Sequence, residues 1–222
     1  MLPIQVAIDG PAGAGKSTVA KLVAKQLGAK YIDTGAMYRA VGWLVSTNHV
    51  DVKDEEQVLR LAESLRFSFT DSGIQVNGFQ LTNEIRTEQI SAFASAIAKI
   101  GGVREVLVEK QRQLAGLESV VMDGRDVGTH VLPNANIKIF LTASVEKRVE
   151  RRFKELKRKG EQPSLETLKQ EIMDRDHNDK NRQFAPLCKA EDAILLDTTE
   201  LTMDQVVDQI LQLCRTKLGG EE

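Results

Sequence analysis

The stretch from Gly10 to Thr18 carries the clearest chemistry in the chain, since it reads Gly-Pro-Ala-Gly-Ala-Gly-Lys-Ser-Thr. It fits the phosphate-loop pattern of a glycine, four residues and then Gly-Lys-Ser. Glycines let the backbone curl around a phosphate chain and present its N–H groups, and the next helix adds the positive end of its dipole. Lys16 can reach the outer phosphates, and the hydroxyl of Ser17 can bind magnesium. The pattern predicts a nucleoside triphosphate site formed by Gly10, Pro11, Ala12, Gly13, Ala14, Gly15, Lys16, Ser17 and Thr18.

The segments on either side of this loop match the structure that the motif needs. Residues 4–8 form a short apolar run with β-branched members, which predicts a strand. After the loop, apolar residues recur at helical spacing from Val19 to Leu27, and Gly28 supplies a C-terminal stop. A chance match without function is the alternative, and the order of strand, loop and helix disfavours it.

A second candidate group lies at the end of another apolar run, Ser119 to Asp123. In phosphate-loop enzymes an aspartate in this place lies beside the metal, so Asp123 joins Ser17 as a candidate metal ligand. An aspartate that only caps a turn is the alternative reading. Arg125 and Asp126 follow directly and should emerge at the same edge of the sheet.

Several arginines lie near predicted strand ends or helix ends, where parallel sheets bind ligands. These are Arg39, Arg104, Arg125, Arg175 and Arg182. Transfer of phosphate to an alcohol usually needs a base, whereas a phosphate acceptor is already anionic and needs its charge neutralised by groups such as guanidinium. The arginines therefore favour a phosphorylated acceptor. Because Arg175, Asp179 and Arg182 recur every three or four residues, an ordinary surface ladder of ion pairs is the alternative for that segment.

Strands alternate with helices over most of the chain. This order predicts an α/β fold of the P-loop NTPase type, with a five-stranded parallel sheet and helices on both faces. The kinase core should comprise residues 1–39 and 116–222. We expect its strands at residues 4–8, 30–32, 119–122, 137–141 and 193–196.

Residues 40–115 interrupt that pattern and predict an inserted acceptor-binding lobe. Alternation and turn signals between residues 65 and 81 indicate a small antiparallel sheet of three strands. Two helices, 87–100 and 103–115, should follow, with a break at Gly101-Gly102. The helix at 144–159 is rich in lysine and arginine. We expect a short lid over the phosphates at about 151–165, and a solvated helix face is the alternative.

Composition narrows the possible functions. The 222 residues are 41% hydrophobic and 28% charged, enough for one domain with a sizeable core. No signal peptide or membrane-spanning stretch is found, so we expect a cytoplasmic protein with no membrane partner. A formal net charge of −2 argues against binding to nucleic acid. Cys188 and Cys214 are too few for a disulfide framework or a zinc site, and no cofactor beyond Mg²⁺ with ATP is expected.

Three functions remain open on these residues. The first is a kinase for a phosphorylated acceptor, the second is a kinase for another small acceptor such as shikimate, and the third is a nucleotide-dependent switch with slow hydrolysis. A guanine-nucleotide switch is disfavoured, because the segment Asp123-Gly124-Arg125-Asp126 lacks a glycine at its fourth place and no Asn-Lys-x-Asp sequence occurs.

As a set, these residues resemble the bacterial cytidylate kinases over nearly the whole chain. The resemblance implies a monomeric nucleoside monophosphate kinase that transfers the γ-phosphate of ATP to CMP or dCMP in pyrimidine nucleotide metabolism. It also implies an insert that closes on the acceptor. The residues that carry it are Ile8 to Lys16, Asp33 to Arg39, Glu84 to Thr87, Val103 to Glu105, Asp123 to Thr129 and Arg175 to Arg182.

The resemblance implies roles for individual side chains around the acceptor. Arg39, Arg125 and Arg182 are expected to bind its phosphate, and Arg175 and Asp179 to bind its sugar. Together with Lys16 and Asp123, two of these arginines are expected to act in catalysis. The expected catalytic residues are Lys16, Asp123, Arg125 and Arg182.

The resemblance also implies that Ser95, Arg104 and Asp126 read the cytosine base. A carboxylate can accept from the exocyclic amine of cytosine, and Arg104 or Ser95 can donate to its ring acceptors, whereas uracil would present an oxygen to Asp126. Thr34 stands where a serine is also found in the family and keeps a hydroxyl for the substrate. Which of Ser17 and Thr18 contacts the metal is left open.

Overall fold

The computed structural model describes residues 3–70, 72–116 and 118–218. The strands are β1 (Gln5–Asp9), β2 (Lys30–Asp33), β3 (Phe67–Thr70), β4 (Gly73–Val76), β5 (Phe79–Leu81), β6 (Val120–Gly124), β7 (Ile137–Thr142) and β8 (Ile194–Asp197). The helices are α1 (Lys16–Leu27), α2 (Thr34–Thr47), α3 (Glu55–Ser64), α4 (Glu88–Ile97), α5 (Gly101–Ala115), α6 (Val145–Arg158), α7 (Leu165–Asn181) and α8 (Met203–Leu218). None of the described helices has the length and apolar composition needed to cross a membrane.

The main sheet is parallel and has the strand order β2-β6-β1-β7-β8. Each of its strands lies within two residues of the predicted bounds, so the prediction of a five-stranded parallel sheet is confirmed. Parallel strands bring their carboxyl ends to one edge. There Asp33 pairs in register with Asp123, and Asp9 pairs with Gly124. Three neighbouring strands therefore end in acidic side chains at the same edge.

Helices cover both faces of this sheet, because alternate residues of each strand point to opposite sides. Ala7 of β1 packs in a core with α2 and α5, through residues such as Met37 and Leu107. Val6 and Ile8 pack in a second core with α1 and α8. Strands that are buried on both faces account for the continuous apolar runs in the sequence.

The residues between α2 and β6 form the small sheet and its helices. The strands β3, β4 and β5 pair antiparallel in sequence order, as predicted. The expected break at Gly101-Gly102 is wrong, because α4 ends at Ile97 and both glycines lie in the first turn of α5. Ala98 to Ile100 form the break instead. Glycine is tolerated in a first turn, where the backbone N–H groups have no partner inside the helix.

A substitution at Gly10 tests how closely the start of the phosphate loop packs against the sheet. Its φ angle is +146°, and an added Cβ would lie 1.9 Å from the backbone oxygen of Leu141 in β7. We expect Gly10→Ala to lower the free energy of unfolding by roughly 3 kcal/mol or more, because backbone strain and overlap add. Urea denaturation measures the loss. Gly28→Ala is the matched control, since its φ is +62° with nothing within 4 Å, and it should cost only about 1 kcal/mol. Equal losses would contradict the close packing at Gly10.

Candidate active site

The phosphate loop joins β1 to α1 and leaves the start of that helix open. Gly15 is the N-cap of α1 with a φ angle of 90°, and no side chain bonds to the first amides of the helix. By contrast, Asp33 caps α2 and Ser144 caps α6 by accepting hydrogen bonds from backbone amides. The N–H groups and the positive dipole end of α1 are therefore available to a phosphate.

Lys16 is buried at the start of α1. Its Nζ donates a hydrogen bond of 2.7 Å to the backbone carbonyl of Pro11, inside the loop. Burial and the positive charge of Arg125 lower the pKa of Lys16 to about 7, while the carboxylate of Asp123 acts in the opposite direction. The amine of Lys16 is thus held by a hydrogen bond to the loop, and its pKa depends on the charges of Arg125 and of the candidate metal ligand Asp123.

Asp123 binds side chains from two other elements. Ser17 donates to its Oδ2 at 2.9 Å, and Tyr31 donates to its Oδ1 at 2.7 Å. Its backbone carbonyl accepts from Oγ1 of Thr34 at 2.7 Å. The alternative of a simple turn cap is wrong, because both partners of the carboxylate lie far away in the sequence. The candidate metal ligands Ser17 and Asp123 are therefore brought together.

The oxygens of Asp123 and Ser17 suit a magnesium ion. Burial and the neighbouring carboxylate of Asp33 raise the pKa of Asp123 to about 6, and a cation beside it would offset both effects. Magnesium prefers carboxylate and hydroxyl oxygens and keeps several waters. Within the described residues no cluster of three or more histidine, cysteine or acidic side chains could hold a metal alone. The nucleotide and water would have to complete the coordination of an ion held here.

Tyr31 is a site residue that sequence reasoning placed only in a strand. Burial and the carboxylate of Asp123 hold the pKa of its hydroxyl far above the ordinary value, so this hydroxyl remains a proton donor to Asp123. Lys21 lies 5.5 Å from the centre of its ring. The signal was present in the two-residue period of β2, which puts Tyr31 on the same face as Asp33. The sequence did not show that β2 pairs with β6, which brings Tyr31 next to Asp123.

Asp33 has two partners, one for each carboxylate oxygen. It caps α2 by accepting from the amide of Ala36 at 2.8 Å, and it forms an ion pair of 2.8 Å with Arg39. Burial alone would raise its pKa, but Arg39 and the Ala36 amide outweigh burial and lower it. Asp33 therefore fixes the predicted acceptor-phosphate ligand Arg39 one turn into α2.

The predicted ligands on α7 meet residues that follow β6. Asp179 accepts from Nε of Arg125 at 2.7 Å and lies 3.9 Å from Arg182. Although burial opposes it, Arg125 lowers the pKa of Asp179. The alternative of a surface ladder along α7 is wrong, because the strong partner of Asp179 is on another element and the side chain of Arg182 is only 5% exposed.

Several arginine nitrogens in this region are buried without a hydrogen-bond partner among the described residues. They are Nε of Arg39, Nε of Arg175 and Nη2 of Arg182. Burial, followed by repulsion from Arg125, lowers the pKa of Arg175 to about 10. Buried donors that lack acceptors are costly. Their common location near the sheet edge indicates a site for an anion.

Asp126 is placed between two arginines. Its carboxylate forms a short ion pair with Arg104 of α5 and lies 3.5 Å from Arg182. Arg104 also lies over the ring of Tyr38, 5.5 Å from its centre. Ser95 lies on α4 and donates to the carbonyl of Ser91 in the same helix, and no described hydrogen bond joins it to Arg104 or Asp126. The structure therefore brings together two of the three predicted base-reading residues.

The basic helix α6 contacts the phosphate loop through two arginines. Arg148 donates to the carbonyl of Ala12 at 3.0 Å and forms an ion pair of 2.7 Å with Asp176 of α7. Arg151 donates to the carbonyl of Ala14 at 3.2 Å. The alternative of a fully solvated face is therefore wrong for these two residues. Sequence reasoning saw Arg148 only as one charge in a run, and nothing local distinguished it.

Asp9 is a third residue, after Tyr31 and Arg148, whose role the sequence analysis did not predict. It is 5% exposed and accepts hydrogen bonds from the amides of Val127 and Gly128, at 2.9 and 2.7 Å. Burial raises its pKa to about 6, against the effect of these two amides. It joins the end of β1, directly before the phosphate loop, to the turn that follows Asp126.

An uncapped helix start inside a phosphate loop, a carboxylate suited to magnesium and a set of buried arginines on one sheet edge define a P-loop phosphotransferase. The family model for cytidylate kinase matches residues 6–216. The cytidylate kinase of Alkaliphilus oremlandii (strain OhILAs) is 50% identical over 212 residues, covering 96% of this chain and 98% of its own. That of Geobacillus sp. (strain WCH70) is 50% identical over 220 residues, with 97% and 98% covered. The chain therefore belongs to the cytidylate kinase family.

A solved structure supports the fold independently. The shikimate kinase from Acinetobacter baumannii in complex with shikimate superposes with a TM-score of 0.52 at 16% identity. The match covers 100% of this chain and 97% of that one. At this identity the likeness concerns the fold alone.

The raised pKa of Asp9 predicts how stability depends on pH. Its pKa moves from 3.8 to about 6 on folding, so its contribution to stability is fully present below pH 3.8 and is lost as the pH rises through 6. Asp9→Asn lacks this titration. Between pH 4.5 and 7, the free energy of unfolding of the variant should therefore rise by about 2 kcal/mol relative to the parent protein. Urea denaturation at the two pH values measures the difference.

The exposed Asp54 supplies a control of opposite sign for that measurement. The backbone amide of Gln57 lowers the pKa of Asp54. Its stabilising contribution is present above its unfolded pKa and lost as the pH falls. Asp54→Asn should therefore show no relative gain between pH 4.5 and 7. A difference for Asp9→Asn that does not change with pH would contradict the raised pKa.

Proposed function

We infer that this chain transfers the γ-phosphate of ATP to CMP or dCMP, giving ADP and CDP or dCDP, in pyrimidine nucleotide metabolism. The observation that carries the inference is the set of buried arginine nitrogens that find no acceptor in the described part of the chain, on the sheet edge that also carries the phosphate loop. Family membership agrees with this reading, since the relatives are named cytidylate kinases.

The loop from Gly10 to Thr18 would bind ATP through its backbone amides and the start of α1. Lys16 would act on the phosphates from within the loop, where its charge can follow the charge that develops during transfer. Of the two hydroxyls left open by the sequence, that of Ser17 lies 2.9 Å from Asp123, which favours Ser17 as the metal ligand. Magnesium bound to ATP neutralises phosphate charge.

The acceptor phosphate would lie among Arg39, Arg125 and Arg182. A phosphate monoester is already ionised near neutral pH, so no residue need remove a proton from it. Arginine suits this task because its planar group holds phosphate oxygens in pairs. Arg125 and Arg182 would also stabilise the charge of the group in transfer, which makes them catalytic as well as binding residues.

The nucleoside would be held by side chains from three elements. Arg175 and Asp179 of α7 would bind the sugar, and Thr34 would offer a hydroxyl nearby, although its own proton is donated to the Asp123 carbonyl. Arg104 and Asp126, with Ser95 from α4, would bind the cytosine. The ion pair between Arg104 and Asp126 orients both groups, and their hydrogen-bonding sense matches cytosine and opposes uracil at the amine position.

We also propose the division of labour along the chain. Residues 1–39 and 116–222 would form the kinase core, and residues 40–115 would form the lobe that carries Ser95 and Arg104 to the acceptor. The lid would span about 151–165, with Arg151 as its anchored end. In this proposal the enzyme acts in the cytoplasm as a monomer.

A panel of acceptors tests the function. ADP release from ATP and magnesium should increase strongly with CMP and dCMP, and should not respond to shikimate. An increase with shikimate would identify a different small-molecule kinase, and release that is indifferent to every acceptor would identify a switch. Lys16→Met is the control: it should keep the fold by circular dichroism but lose about a hundredfold or more in turnover. Turnover near the parent level would remove the loop from catalysis.

Asp126→Ala tests the reading of the base. The ratio of kcat/KM for CMP to that for UMP should fall by about tenfold or more, because a charged hydrogen bond to the amine is lost. The ratio is the useful quantity, since general damage from unpaired Arg104 affects both substrates. Glu118→Ala is the control, because this exposed carboxylate pairs with Lys30 at the start of β2, away from the strand ends that carry the site. An unchanged ratio for Asp126→Ala would exclude Asp126 as the reader.

A further inference from the structure

Asp9 holds a turn that lies far away in the sequence. Its Oδ1 accepts from the amide of Val127 and its Oδ2 from the amide of Gly128, so both oxygens are used. These two residues begin the short helical turn Val127–Val131. The first N–H groups of any helical turn lack partners within it. Asp9 therefore caps this turn from the end of β1.

The residue that would ordinarily cap this turn is Asp126. It occupies the N-cap position, and aspartate there usually accepts from the next amides. Its side chain makes no such bond, although its backbone carbonyl accepts from His130 at 2.8 Å. With the amides taken by Asp9, the carboxylate of Asp126 lies against Arg104 and Arg182 instead.

The geometry needs a carboxylate at position 9. The two N–H donors bond to two different oxygens of Asp9, and an ionised carboxylate supplies both, whereas asparagine supplies one oxygen and places an NH₂ donor where the other oxygen would be. The space is also closed: a Cβ added to Gly128 would lie 3.3 Å from Oδ2 of Asp9 and 3.2 Å from the side chain of Lys138.

We propose that Asp9 is a positioning residue for acceptor selection: by capping the amides of Val127 and Gly128, it leaves the carboxylate of Asp126 to face Arg104 and read the base. Because Gly10 follows Asp9 directly, the same residue fixes the base reader relative to the phosphate loop. The proposal rests on the function inferred above.

A double-mutant comparison tests this role. In Asp9→Asn one amide loses its acceptor, and the carboxylate of Asp126 can turn to cap it. The CMP to UMP ratio of kcat/KM should fall by about fivefold to tenfold, through a higher KM for CMP, while the KM for ATP stays within about twofold. Adding Asp9→Asn to Asp126→Ala should not lower the ratio further, since both act through one carboxylate. A retained ratio in Asp9→Asn, or effects that multiply in the double variant, would overturn the proposal.

Three further measurements keep the test decisive. If Asp9→Asn does not fold, Asp9→Ser, which also removes one acceptor, replaces it in the same comparison. In the parent enzyme, the amide protons of Val127 and Gly128 should exchange with solvent slowly, and exchange as fast as that of exposed loops would overturn the cap.

Asp54→Asn, which removes an exposed cap of α3, should leave the ratio unchanged. If the parent enzyme fails to phosphorylate CMP, the inferred function fails and the proposal falls with it, whereas an unchanged ratio in an active variant refutes the proposal alone.

Discussion

Three carboxylates at adjacent strand ends set the constraint on which this site depends. Asp33 and Asp9 are the last residues of β2 and β1, Asp123 is the last but one of β6 between them, and all three are buried at one edge of the sheet. Like charges in such a place are costly unless each has its own partner. Asp33 takes a guanidinium, Asp123 takes two hydroxyls and Asp9 takes two amides. The partner decides the role: Asp33 fixes an arginine, Asp123 is left able to attract a cation, and Asp9 fixes the backbone.

The arginines balance this acidic edge only in part. Arg39, Arg104 and Arg125 are paired with Asp33, Asp126 and Asp179, yet among the described residues Arg39, Arg175 and Arg182 each keep one buried nitrogen without a hydrogen-bond acceptor. Arginines whose donors were all bonded to carboxylates would have none left for an anion. Arginines without any carboxylate partner would repel each other and turn toward solvent. The mixture orients the guanidinium groups and still leaves donors for a phosphate. Orientation before binding lowers the cost of ordering these side chains later.

The sequence predicted what depends on local pattern. The strands are buried apolar runs next to a loop of fixed spacing, so their positions and the phosphate loop follow from neighbouring residues. The roles of Tyr31, Arg148 and Asp9 depend on partners about 90 to 140 positions away, which only the strand order and helix packing bring near. The predicted helix break at Gly101-Gly102 was wrong because glycine disfavours a helix only weakly, and the first turn of a helix tolerates it.

Arg148 connects the phosphate loop to helix α7. It donates to the carbonyls of Ala12 in the phosphate loop and Ala143 after β7, and it pairs with Asp176 on α7. Asp179 lies one turn further along α7 on the same face as Asp176, and Arg175 precedes Asp176 directly; both belong to the acceptor region proposed above. A buried guanidinium with three separate acceptors resists displacement, because moving it would leave each of them unpaired. Arg148 connects the phosphate loop to α7, and Asp9 connects the strand before the loop to the turn after Asp126, so both sides of the proposed acceptor site are joined to the phosphate loop.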